Sequence, residues 1–131
     1  MPVAEFAFSY NRFIQLLTVP LLAGPRHSSV SLSDDEMIVR MGLGGWTFSA
    51  DIPLAAITRA SPTTGRVLAW GAHGWRGRWL VNGSSVGMVK LDIDPRAHGR
   101  CVGFPLRIRE LTMSLEDPDG FIRAITPAVA R

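Results

Sequence analysis

The chain has 131 residues, 47% of them hydrophobic and 19% charged, with a formal net charge of +3. That length fits one domain able to bury its own core, and that composition excludes a disordered chain. The single cysteine, Cys101, excludes an internal disulfide and a cysteine-based zinc set, and reads as one buried thiol.

Phe6, Phe8 and Tyr10 alternate with small or polar residues and predict a first strand. Asn11 is placed to cap a short helix that carries Phe13, Leu16 and Leu17 on one face and ends at Pro20. The apolar run 13–23 is shorter than the about 20 residues a membrane helix needs. Gln15 and Pro20 interrupt it and no A-x-A cleavage site follows. It is therefore assigned to the fold, with no transmembrane segment expected and the cytoplasm as the expected location.

Gly24-Pro25 marks a turn. Val30 and Leu32 alternate with serines as the next strand, and Ser33-Asp34-Asp35-Glu36 is a polar hairpin turn. Met37, Val39 and Met41 form the inward face of a partner strand. A glycine turn at 42–45 follows, and Trp46, Phe48 and Ala50 continue the meander. Residues 52–57 (Ile-Pro-Leu-Ala-Ala-Ile) predict a single helical turn or bend feeding a short strand through Ala60, and residues 61–65 a loop.

Asn82-Gly83 predicts a two-residue hairpin turn. After it Val89, Leu91 and Ile93 alternate with Lys90, Asp92 and Asp94, and residues 95–99 are expected to form a loop. The last strand region contains a break in phase. Leu106 and Ile108 are even-numbered, whereas Leu111, Met113 and Leu115 are odd, so a regular strand would send the two sets to opposite faces. A bulge or turn near Arg109-Glu110 resolves the conflict.

A helix is predicted to close the chain. Asp117 can cap its free amides, Pro118 suits the first helical position, and Asp119 complements the helix dipole. Phe121, Ile122 and Ile125 share a face, and Thr126 before Pro127 predicts the helix end. Gly120 opposes this reading at a cost of about 1 kcal/mol relative to Ala.

Charge is uneven. Residues 59–109 carry nine cations and two anions, leaving five of the 14 cations and nine of the 11 anions elsewhere. The unusual part of that stretch is 66–79, where Trp, Arg and His are interleaved with Gly. Arg66, His73, Trp75, Arg76 and Arg78 are the candidate ligand-binding residues, because arginine forks grip carboxylate or phosphate and an exposed indole can stack. The competing structural reading turns Trp75 and Trp79 toward the core and Arg76 and Arg78 toward water.

Catalytic motifs are missing. Gly42, Gly44 and Gly45 lack the lysine and Ser/Thr of a phosphate loop. His27, His73 and His98 have no metal-ligand spacing, and Ser84-Ser85 is not a nucleophile elbow. Asp34, Asp35 and Glu36 read as a solvated turn, and Asp92 and Asp94 as the outer face of a strand. No metal, no cofactor and no enzymatic activity are expected; an enzyme built on His73 beside Arg76 and Arg78 is the least favoured class.

The strand meander, the bend at 52–57 and the closing segment 116–125 together resemble bacterial pleckstrin-homology-like domains, in particular small actinobacterial proteins of that kind. The resemblance covers roughly residues 29–126. It implies a mainly β fold: one domain over 1–131, a partly open barrel of antiparallel strands capped by a C-terminal α-helix. Residues 1–28 would add a strand and a helix to one edge. It also implies a non-catalytic binding or assembly module, since such domains usually bind lipid head groups, peptides or protein partners; a protein or an anionic partner is expected here. The first-hairpin turn is acidic where phosphoinositide-binding members are basic, so phosphoinositide is an unlikely ligand. Open sheet edges add an expectation of self-association. The alternative is a nucleic-acid-binding module using segment 66–79.

Overall fold

Alternation of apolar and polar residues builds the first part of the sheet. The computed structural model describes residues 4–10, 28–63, 71–75, 77–82 and 86–129. Strands β1 (Ala4–Ala7), β2 (Ser29–Leu32), β3 (Glu36–Met41) and β4 (Phe48–Pro53) form an antiparallel meander. Val30, Leu32, Met37, Val39, Met41, Phe48, Ala50 and Ile52 all point into the core. β1 is the extra N-terminal strand; the helix expected after Asn11 lies outside the described residues. Trp46, expected to continue the meander, instead precedes β4 beside the glycine turn and is 41% exposed. The positive φ angles at Gly42, Gly44 and Gly45 curl the chain back before a strand can resume, leaving Trp46 outside the pleat.

The centre of the sheet is a long ribbon, β8 (Met88–Cys101) with β9 (Phe104–Ser114). The loop expected at 95–99 is strand. Residues 98–101 find partners on both sides, β4 and β9, so the backbone there is held extended. Strand β5 (Ile57–Pro62) flanks the other half of β8, and a 3-10 turn at Leu54–Ala56 links β4 to β5.

Three irregularities coincide beside that turn. β8 shifts register against β9 between Asp92 and Ala97, and β5 shifts between Ile57 and Arg59. Pro95, which has no amide to donate, falls inside the β8 shift. In β9, the amides of Arg109 and Glu110 both donate to the Gly77 carbonyl, at 2.9 and 3.1 Å. Two successive amides on one acceptor are a bulge, the device the phase break required. Ile108, Leu111, Met113 and Leu115 are all buried as a result.

Strands β6 (Gly71–Trp75) and β7 (Arg78–Asn82) form a hairpin, with Gly77 at φ +85° in the turn. The expected hairpin at Asn82-Gly83 does not form. β7 runs parallel to β9 instead of pairing with β8, and Asn82 is the buried last residue of β7. Parallel neighbours need a crossover, which a two-residue turn cannot provide. The strand order is β1-β2-β3-β4-β8-β9-β7-β6, with β5 also on β8, in a curled, partly open barrel.

One helix, α1 (Pro118–Val129), closes the fold on β5 and the 3-10 turn. The Asp117 carboxylate accepts from the Gly120 amide at 3.0 Å, the cap read from the sequence. A Cβ at Gly120 would run into that carboxylate, which accounts for the glycine. Phe121 and Ile125 are buried, and the Phe6 ring meets Phe121 edge-on at 5.3 Å. The predicted stop at Thr126 is wrong: the helix continues through Pro127 to Val129. The Thr126 hydroxyl bonds the Ile122 carbonyl, and Val129 packs on the core beyond the proline.

Candidate functional site

The aligned irregularities gather charged side chains on the outer surface of the barrel. At the β9 bulge both Arg109 and Glu110 turn away from the core, breaking the inside–outside alternation. Glu110 sits between two cations: Arg78 Nε at 3.4 Å and Lys90 Nζ at 3.5 Å. Lys90 and Asp92 come from the outward face of β8, opposite buried Val89, Leu91 and Ile93. Asp94 and Arg96 come from its register shift. Together they line an open hollow of 490 Å³ with four cations (Arg78, Lys90, Arg96, Arg109) and three carboxylates (Asp92, Asp94, Glu110).

The chemistry of this corner is exchangeable pairing. The Arg78 side chain is 65% exposed and that of Lys90 42%, so their pairs with Glu110 are screened by water. Such pairs contribute up to about 1 kcal/mol each. A carboxylate or phosphate from a partner can therefore take over a cation at small cost. Arginine supplies the planar fork that a bidentate contact needs.

Of the residues singled out in the sequence, Arg78 lies in this hollow. Arg66 and Arg76 lie outside the described residues, and only the backbones of His73 and Trp75, in β6, are described. Trp79 follows the structural reading: it packs on the core, with its ring centroid 5.7 Å from that of Phe48. Sequence reasoning missed Lys90, Arg96, Arg109 and Glu110 as a group. The signal was present in the phase break at 109–110, which also says which way those two side chains turn.

Two other hollows differ in character. One of 450 Å³ is bordered by Asp34 and Asp35 of the β2–β3 turn, with Leu54, Ile57 and Val129 as its apolar lining. One of 180 Å³ holds the Arg40–Asp51 ion pair, at 2.9 Å, beside His98 and Arg100. Among the described residues no cluster of His, Cys, Asp and Glu is arranged to hold a metal, and no helix is long and apolar enough to cross a membrane. Cys101 is partly exposed rather than buried, and burial still pushes its thiol pKa up, away from the reactive thiolate.

No family model, curated protein or solved structure matches this chain.

Proposed function

We propose that the chain is a non-catalytic binding module of pleckstrin-homology-like type that docks an acidic segment of a protein partner against the charged corner. The observation that carries this reading is the convergence of Arg78, Lys90, Arg96 and Arg109 on one open hollow at a sheet bulge. The carboxylates among them set spacing and would penalise a partner of uniform charge. Phosphoinositide is not the proposed ligand, because the first-hairpin hollow is bordered by Asp34 and Asp35. The nucleic-acid reading loses one stacking surface, since Trp79 is engaged with Phe48.

A labelled acidic peptide and a labelled single-stranded oligonucleotide, titrated across a salt series, test the reading. Arg78→Glu with Arg96→Glu should weaken peptide binding at least tenfold while secondary structure persists. Undiminished peptide binding by the double variant would remove the corner from the site. Oligonucleotide binding that is tighter than peptide binding, and that falls steeply with salt, would put the nucleic-acid module in its place.

A further inference from the structure

Five large hydrophobic side chains are strongly exposed among the described residues: Leu43, Trp46, Val86, Val102 and Phe104. Four of them lie in or next to two turns, β3–β4 and β8–β9, and those turns touch. The Val102 amide donates to the Thr47 carbonyl at 3.1 Å, and Phe48 pairs with Cys101 where the strands begin. One end of the barrel, its tip, thus brings these apolar residues to neighbouring turns, with Phe104 at 74% exposure and Val102 at 58%.

Backbone geometry makes the tip costly. Val102 has φ +49° and Gly103 φ +81°, so the turn places a β-branched residue in the left-handed region. Asn, Asp or Gly fits that position without strain, and all three are polar or small. The chain instead holds an apolar side chain there, exposed to water. On the other turn, three glycines at positive φ hold Leu43 and Trp46 outward. The Trp46 ring lies over Gly42, where a Cβ would come within 2.7 Å of it.

Two arginines lie beside the tip, one of them, Arg100, sharing a hollow with the Arg40–Asp51 pair. Arg100 and Arg107, on the two strands leading to the β8–β9 turn, are both exposed, and no acidic residue lies between 95 and 109. The acidic β2–β3 turn is at the far end of β3, a strand of six residues. That span separates it from the tip by roughly 20 Å. The two turns lie side by side at this end of the sheet. An apolar tip with an indole and neighbouring arginines is the arrangement that suits the boundary between lipid headgroups and acyl chains.

We propose that the β3–β4 and β8–β9 turns form a membrane-docking tip: Leu43, Trp46, Val102 and Phe104 enter the surface of an anionic bilayer while Arg100 and Arg107 meet its headgroups. This does not rest on the charged corner, which lies along the sheet at the 109–110 bulge. Attraction is to anionic lipid in general, because exposed arginine side chains carry it.

Co-sedimentation of the full chain with vesicles tests the proposal. Binding to phosphatidylglycerol vesicles should exceed binding to phosphatidylcholine vesicles at least tenfold and weaken as salt rises. Phosphoinositide added at equal surface charge should bring no further gain. Val102→Asn with Phe104→Ser should lower the partition coefficient at least tenfold, with circular dichroism unchanged. The blue shift of tryptophan emission on vesicle binding should diminish in Trp46→Phe. The proposal fails if the wild-type chain does not sediment with anionic vesicles, or if the double variant binds as well as the wild type. It fails equally if sedimentation equilibrium finds a dimer that the double variant dissociates while vesicles go unbound, since the tip would then be a contact between copies.

Discussion

The β2–β3–β4 meander and the β8–β9 ribbon are both antiparallel, yet they are built on different rules. In the meander every second residue is buried from Val30 to Ile52, apart from the turns, and register is kept from strand to strand. The ribbon is longer and breaks that alternation at residues 93–97 on one strand and 109–110 on the other. The meander contributes core. The ribbon contributes core at its ends of regular pairing and, at each irregularity, pushes side chains outward. The charged corner takes residues from the ribbon's departures from regular pairing, and the apolar tip lies at the turn that ends its regular part.

The sharpest way to break this comparison is to weaken the regular core and see whether the loss is as large as its packing implies. Phe121 of α1 is fully buried and meets Phe6 of β1 edge-on. Phe121→Ala should cost roughly 3–5 kcal/mol. Chemical denaturation followed by circular dichroism measures it. A midpoint close to wild type would mean that the helix does not seal the barrel.

The sequence made the meander legible because its period of two has no interruption: Met37, Val39 and Met41 could point only one way. The capped helix was legible for a similar reason, since Asp117, Pro118 and the Phe121–Ile125 spacing agree. Its end was misread because Pro127 speaks only for local backbone preference, whereas Val129 gains a place on the core. Strand partners were the least legible. Asn82-Gly83 carries a hairpin signature, but β7 lies beside β9, and nothing local to residues 78–83 records a neighbour some thirty positions further along. The candidate site was half legible. Arg78 was visible as part of a segment that interleaves Trp, Arg and Gly. Its companions Lys90, Arg96 and Arg109 come from strands whose adjacency is a property of the fold.

Val102 offers a smaller and more pointed test, because the two regions should respond in opposite directions. Truncating a core residue of the meander lowers stability. Replacing Val102 should raise it: Asn tolerates φ near +49°, and strain of this kind costs on the order of 1–3 kcal/mol. Val102→Asn should therefore stabilise the chain by about 1 kcal/mol, read as a higher denaturant midpoint at unchanged slope. A destabilised variant would show that the valine side chain supports the fold, and that the turn is ordinary structure.

The smallest effect lies where the meander meets the N-terminal strand. Tyr10, the only tyrosine, has its hydroxyl 3.0 Å from the Ser28 Oγ, which also accepts the Gly42 amide at 3.2 Å. Burial raises its pKa above the ordinary tyrosine range, and the Ser28 contact offsets only part of that rise. The folded chain therefore keeps this proton at a pH where the unfolded chain has lost it. Since the native state then binds more protons, stability must fall as pH rises. The contribution of Tyr10 is complete below about pH 10, the value in an unfolded chain, and is lost as pH climbs through the higher folded value. Tyr10→Phe should start slightly lower at neutral pH, by about 1 kcal/mol for the lost hydrogen bond. It should then lack the part of the alkaline decline that belongs to the phenol. Cys101, whose thiol is also raised by burial, contributes a separate decline at lower pH, so the comparison is made in a Cys101→Ser background. Phenolate absorbance reports on Tyr10 alone, because there is no second tyrosine. If the folded protein titrates at the ordinary value, the hydroxyl is open to water and the junction between β1 and the meander is looser than its contacts indicate.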